Sequence, residues 1–177
     1  MSIIISLPDG SKKEYPAAVS ALDIANEISP RLAAAALAAE INGKLCDIGT
    51  MISEDAELKI HTFKSEEGKE LYWHSTAHLM AQAVKQLWPD VQVTIGPAIE
   101  QGFYYDFDRQ ESFTDEELEQ IEARMNELIA QDLPYVRKEL SKQEAVEIFA
   151  GMGEDYKIEI LDEIPDTDII STYKQGD

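Results

Sequence analysis

The sequence is poor in the residues that usually announce chemistry. It has one cysteine, Cys46, in 177 residues, so no internal disulfide framework is available and a reducing, cytoplasmic setting is expected. Histidine is confined to His61, His74 and His78. No apolar run is long enough to span a bilayer; the longest, near Leu32 to Ile41, is mostly alanine. Met1 to Leu7 lacks the basic and apolar regions of a secretory signal. Positive charge is also short: 15 Lys and Arg stand against 35 Asp and Glu, a net charge of −20. Nucleic-acid affinity built on bulk phosphate neutralisation is therefore not expected. A domain that acts on RNA gripped elsewhere remains open.

The pattern that is present divides in two. Ile3 to Ile5, a Pro8-Asp9-Gly10 turn and Lys12 to Tyr15 predict a hairpin. Ser20 caps a predicted helix over Ala21 to Ile28, ended by Pro30. Leu37 to Ile41, Asn42-Gly43 and Lys44 to Asp47 predict a second hairpin, and Leu58 to Phe63 a closing strand. That order is a β-grasp pattern. Lys64 to Glu70 is polar, contains Gly68 and reads as a linker.

A second α+β domain is expected after it. A helix is predicted from His74 to Trp88, stopping at Pro89. Strands are predicted at Val91 to Ile95, ended by Gly96-Pro97, and at Phe103 to Phe107. Thr114 and Glu117 have capping-box spacing before a long helix striped by Leu118, Ile121, Met125 and Leu128. Tyr135 to Leu140 predicts a strand. Ser141 and Glu144 predict a capped short helix leaving at Gly151, and Tyr156 to Leu161 a final strand before a polar tail.

His74 and His78 are four apart, which stacks them on one helix face. That face points roughly 120° away from the stripe of Ala77, Met80, Val84 and Leu87 at helical periodicity. Paired imidazoles serve a metal or acid–base work near neutral pH. A catalytic zinc needs three protein ligands, and no third is marked here; nor is there a zincin glutamate. Two hydrogen-bonded surface histidines are an equal reading. Strand alternation would put Lys157 and Glu159 on a solvent face. Tyr104 and Tyr105 are simplest as strand aromatics, and Cys46 as a small buried hydrophobe.

The wording of the chain is more specific than its spacing. His74-Ser75-Thr76-Ala77-His78-Leu79-Met80, Lys85-Gln86-Leu87-Trp88-Pro89, Ile95-Gly96-Pro97, Gly102-Phe103-Tyr104-Tyr105-Asp106 and Glu154-Asp155-Tyr156-Lys157 closely resemble bacterial threonyl-tRNA synthetases. The resemblance covers nearly the whole chain. It implies a ubiquitin-like β-grasp (TGS) domain over residues 1–63, a linker over 64–70 and an editing domain over 71–177. That domain would be of the threonyl/alanyl-tRNA synthetase second-additional-domain type, truncated at its C-terminal end. It would hydrolyse serine wrongly joined to tRNA(Thr). The family pattern maps catalytic roles onto His74, His78 and Lys157, and substrate binding onto Tyr105 and Gly96, with no metal ligand. Its Cys-x-x-x-His pair is expected just past Asp177, so half of the suspected site would be missing. The ATP, zinc and magnesium sites belong to a synthetic core expected to be absent, leaving this part without a cofactor. The expected partner is the acceptor end of tRNA(Thr), with no membrane, and the parent enzyme is expected to dimerise through the absent core. Competing readings are a non-catalytic RNA- or partner-binding module and a free-standing misacyl-tRNA hydrolase of the alanyl type.

Overall fold

A computed structural model describes residues 2–176. The chain divides into two compact units, one up to His74 and one from Ser75. In the first, β1 (Ile3–Ser6) and β2 (Lys12–Tyr15) form the expected antiparallel hairpin, with Ile3 opposite Tyr15. A short β3 (Val19–Ser20) leads into α1 (Ala21–Ile28). The Ser20 hydroxyl accepts the amide of Asp23 as the predicted cap. Pro30 does more than end α1: its fixed φ suits a first helical turn, and it opens α2 (Pro30–Ala35) behind the Ser29 cap.

β4 (Ala36–Ile41) and β5 (Lys44–Asp47) pair across Asn42-Gly43, and β6 (Met51–Ile52) pairs with β3. β7 (Ala56–Thr62) closes the sheet in the order β2-β1-β7-β4-β5. It runs parallel to β1 and antiparallel to β4. Two hairpins around a parallel central pair, with α1 packed on one face, are the β-grasp arrangement that strand order predicted. Ile3, Ile5, Tyr15, Ala21, Ile24, Ala39, Ile52, Ala56 and Leu58 form its core.

The polar stretch 64–70 is not an irregular linker. After a tight turn, in which Ser65 N–H donates to the Thr62 carbonyl (3.0 Å), α3 runs unbroken from Glu66 to Leu87. The helix begins a full two turns before His74 because Glu66 and Glu67 suit the positive N-terminal end. Gly68 is buried, and a β-carbon there would collide with the Thr62 carbonyl. A composition that reads as linker is here the solvated first turns of a helix.

In the second unit, α3 buries Ala77, Leu79, Ala83 and Val84. The aromatic stretch Phe103 to Phe107 is not one strand. It splits into β10 (Gly102–Phe103), paired with β9 (Ala98–Ile99), and β11 (Phe107–Asp108), paired with β8 (Gln92–Val93). Gly102, at φ 133, turns the β9–β10 hairpin, and Tyr104 and Tyr105 lie between the two ladders.

α4 (Asp115–Ala130) starts at the predicted Thr114–Glu117 capping box. The Glu117 carboxylate also takes a forked pair from Arg109, at 3.0 and 2.6 Å. The Arg109 guanidinium in turn lies over the rings of Trp88 and Phe113, 5.4 and 4.6 Å from their centroids. One carboxylate thus fixes both the helix start and the arginine that covers the aromatic core.

β12 (Tyr135–Leu140) forms as predicted, as does the Ser141–Glu144 capping box of α5 (Lys142–Met152). The exit residue is Gly153, left-handed at φ 71, rather than Gly151. The next prediction fails: Tyr156 to Leu161 is helical, within α6 (Asp155–Glu163). Tyr156, Ile158 and Ile160 alternate like a strand, but burial follows the helix, with Leu161 5% exposed and Ile160 39%. Five or six residues are too few for periodicity to separate the two. The polar tail holds β13 (Ile170–Gln175), antiparallel to β12 over its full length.

Replacing Leu58, 1% exposed, by alanine is expected to destabilise the first unit by about 2–5 kcal/mol in urea denaturation. In the second unit, the Arg109 guanidinium and then the Thr114 amide hold the Glu117 carboxyl below its ordinary 4.5. A depressed acid stabilises the fold above its unfolded value, and that contribution is lost as pH falls through the folded value. Glu117→Gln retains the capping box but loses the charge. It should lower the melting temperature at pH 7, with the deficit closing as pH drops well below 4.5.

Candidate functional site

Three of the five residues singled out in the sequence meet in the second unit. Lys157, in the first turn of α6, points its ammonium at the Thr94 carbonyl (3.1 Å) and the Tyr105 hydroxyl oxygen (3.3 Å). It is half-buried, not on the solvent face that a strand would give it. Tyr105 reaches this position because Gly96 has no side chain: a β-carbon at 96 would run into the tyrosine ring. The ring stacks on Phe107, with centroids 4.9 Å apart.

Thr94 offers its carbonyl because the β8–β11 ladder ends there in single bonds. The Thr94 amide donates to the Asp106 carbonyl (3.1 Å), and the Asp106 amide to that of Ile95 (2.9 Å). The β-strand and aromatic segments are therefore cross-braced on either side of the lysine.

Burial pushes the Lys157 ammonium below its ordinary 10.5, while the negative charge of Glu154 opposes the fall. Burial, and then the same glutamate, raise the Tyr105 hydroxyl above its ordinary 10. Tyr105 is accordingly a neutral phenol through the physiological range. Two N–H bonds of Lys157 have protein acceptors among the described residues, and an ammonium has three. The arrangement leaves one cationic N–H uncommitted beside a neutral phenol.

Glu154 is the participant that the sequence reading missed. It is 5% exposed, and one carboxylate oxygen pairs with Lys85 at 2.9 Å. In a strand, residues three apart lie on opposite faces; in a helix they are neighbours. The expected strand began at Tyr156 and left Glu154 outside it, so nothing in that reading related Glu154 to Lys157. The available signal was the helical interval itself, within the same Glu154-Asp155-Tyr156-Lys157 motif.

His74 and His78 lie one turn apart on α3, both exposed. Ala77 and Val84 on the apolar stripe are fully buried. The third histidine, His61 in β7, is 0% exposed. Its Nε2 faces Glu40 at 3.0 Å; its Nδ1 faces Ser65 at 3.0 Å and Glu67 at 3.3 Å. Lys59 lies 3.5 Å from Glu40 and 3.8 Å from Glu67, placing a positive charge between the carboxylates. The cluster ties the first turn of α3 to β4 and the end of β7.

The first unit and the whole chain have recognisable relatives. Residues 3–62 match the TGS domain family. The chain is 49% identical over 175 residues to the threonine–tRNA ligase of Syntrophomonas wolfei, covering 99% of this chain and 28% of that protein. It is 53% identical over 174 residues to that of Teredinibacter turnerae, covering 98% of this chain and 27% of that protein. With the enzyme of Desulforamulus reducens it shares 50% over 175 residues. Nearly every residue of the chain is thus homologous to the N-terminal part of threonine–tRNA ligases. The chain spans just over a quarter of the length of these curated relatives. None of the helices among the described residues is long and apolar enough to cross a membrane.

Gly96→Ala should displace Tyr105 and break its contact with Lys157. A loss of about 1–3 kcal/mol is expected for such overpacking, read by urea denaturation, together with a changed tyrosine signal in near-ultraviolet circular dichroism.

Proposed function

We propose that residues 71–177 form an editing domain that hydrolyses the ester of serine wrongly attached to tRNA(Thr), with the TGS domain as its N-terminal companion. The observation that carries this reading is the half-buried Lys157 ammonium, held by Thr94 and Tyr105 with an N–H to spare. An ester carbonyl under attack by water develops negative charge on oxygen. A cation partly withdrawn from water, fixed before the reaction, stabilises that charge strongly. Such a centre in a chain of net charge −20 is a local device, not part of a general basic surface.

The chemical need follows from the substrates. Serine is threonine less one methyl, and a synthetic pocket gains only about 1–3 kcal/mol of discrimination from a group of that size. A second, hydrolytic site supplies the remainder. In this reading His74 activates or orients the attacking water, and His78 shapes the pocket or relays protons. Lys157 receives the developing oxyanion or the terminal ribose, while Tyr105 and Gly96 bound the substrate. The acceptor end of tRNA(Thr) is the partner, the remainder of the tRNA being gripped outside this chain. Water and side chains suffice for ester hydrolysis, so no cofactor enters the scheme.

Deacylation of seryl-tRNA(Thr), with threonyl-tRNA(Thr) as control, tests the proposal. The assay is run on this chain and on one extended through the expected Cys-x-x-x-His. Hydrolysis of the serine ester alone is the expected result, with Lys157→Ala slowing it by about 10²-fold or more and His74→Ala abolishing most of it. Unchanged hydrolysis without His74 would remove that residue from the mechanism. Binding of tRNA with no hydrolysis by either chain would favour a non-catalytic binding module.

A further inference from the structure

The first turn of α6 carries Lys157, and no side chain caps it. α4 and α5 start at capping boxes. In α6, Glu154 stands at the N-cap without a side-chain cap bond and turns its carboxylate to Lys85 (2.9 Å). A helix of 9 residues is too short to be held by its own backbone bonds. The aim of Lys157 is therefore set by contacts that α6 makes with the rest of the unit.

Two successive residues of that turn reach the same ladder. The Tyr156 hydroxyl donates to Asp108 Oδ2 (2.9 Å), and Asp108 closes β11 opposite Gln92 of β8. The Lys157 ammonium donates to the carbonyl of Thr94 (3.1 Å), one residue past β8. Consecutive side chains leave a helix about 100° apart, so α6 straddles the ladder with one tie to β11 and one to the residue after β8. A single tie would leave the turn free to swivel about it. A second, from the adjacent residue, removes that freedom. Asp108 is exposed, where water competes for the hydroxyl, so the bond adds little to stability. What it supplies is orientation.

We propose that Tyr156 is a positioning residue of this site: its bond to Asp108 sets the rotation of α6 at which the Lys157 ammonium meets the Thr94 carbonyl and the Tyr105 hydroxyl. Without that bond the first turn rolls, and Lys157 leaves both acceptors for solvent. Tyr156 touches no reacting atom and acts through Lys157 alone. Its part in catalysis rests on the hydrolytic reading; its hold on Lys157 does not.

The test measures seryl-tRNA(Thr) deacylation with Tyr156→Phe, which keeps the ring and removes the bond. A fall in kcat of about 10- to 100-fold with KM unchanged is expected, the scale that a misaimed group costs. In a Lys157→Ala background the same exchange should cost nothing further, since residues acting as one unit are not additive. Asp108→Ala should reproduce the loss, and Asp108→Asn, which keeps an accepting oxygen, should retain most of the rate. A second readout needs no activity. The Lys157 ammonium lies 5.9 Å from the centroid of the Tyr105 ring, and the ring displaces the lysine side-chain NMR resonances. In Tyr156→Phe they should move towards those of exposed lysines. Should Tyr156→Phe not fold, Asp108→Ala removes the same bond from its other end. An unchanged kcat, a loss that persists undiminished without Lys157, or resonances that stay in place would each overturn the proposal. A wild-type chain that hydrolyses no serine ester would overturn the editing reading instead, and the resonances would then decide the role of Tyr156.

Discussion

The Lys157 ammonium lies half withdrawn from water, and an ammonium in that position must be given acceptors or surrender its charge. Much of the second unit answers to that requirement. The short β8–β11 ladder ends where Thr94 can offer its carbonyl. Gly96 lets Tyr105 fold inward, and the ring rests on Phe107, itself part of the aromatic group that Arg109 and Glu117 close over. The left-handed Gly153 ends α5 and lets Glu154 begin the turn that carries Lys157.

The first unit distributes its charge in another way. Glu40, Lys59, His61 and Glu67 gather at the point where β7 gives way to α3, and each finds its partners within that unit. Its apolar core lies between the sheet and α1, and polar contacts among β4, the end of β7 and the start of α3 carry the transition into the helix. The large surplus of acid over base is compatible with an RNA substrate under the proposed reading, because affinity for most of the nucleic acid is then supplied elsewhere. Only one end of the substrate needs to meet a cation here.

How far the sequence disclosed this depended on the length of each pattern. The Thr114–Glu117 and Ser141–Glu144 boxes, the Asn42-Gly43 turn and the Ser20 cap each involve local chemistry that few other conformations satisfy, and all formed where expected. Lys64 to Glu70 and Tyr156 to Leu161 misled because the first is a solvated helix start and the second a helix too short to show its period. Lys157, Gly96 and Tyr105 could be named from resemblance, but not the reason for their company. Glu154 became visible only once α6 replaced a strand, because helical geometry alone brings residues three apart onto one side.

The sequence has two tryptophans, and the fold assigns one to each unit. Trp73 meets Phe63 and Tyr72 edge-on, at 5.6 and 5.3 Å between centroids. Trp88 lies under the Arg109 guanidinium and beside Phe113. Their optical environments differ: one indole is surrounded by rings, the other is covered by a cation. Each unit therefore carries its own tryptophan, and a single Trp→Phe exchange would leave a chain whose tryptophan emission reports the surroundings of one indole alone.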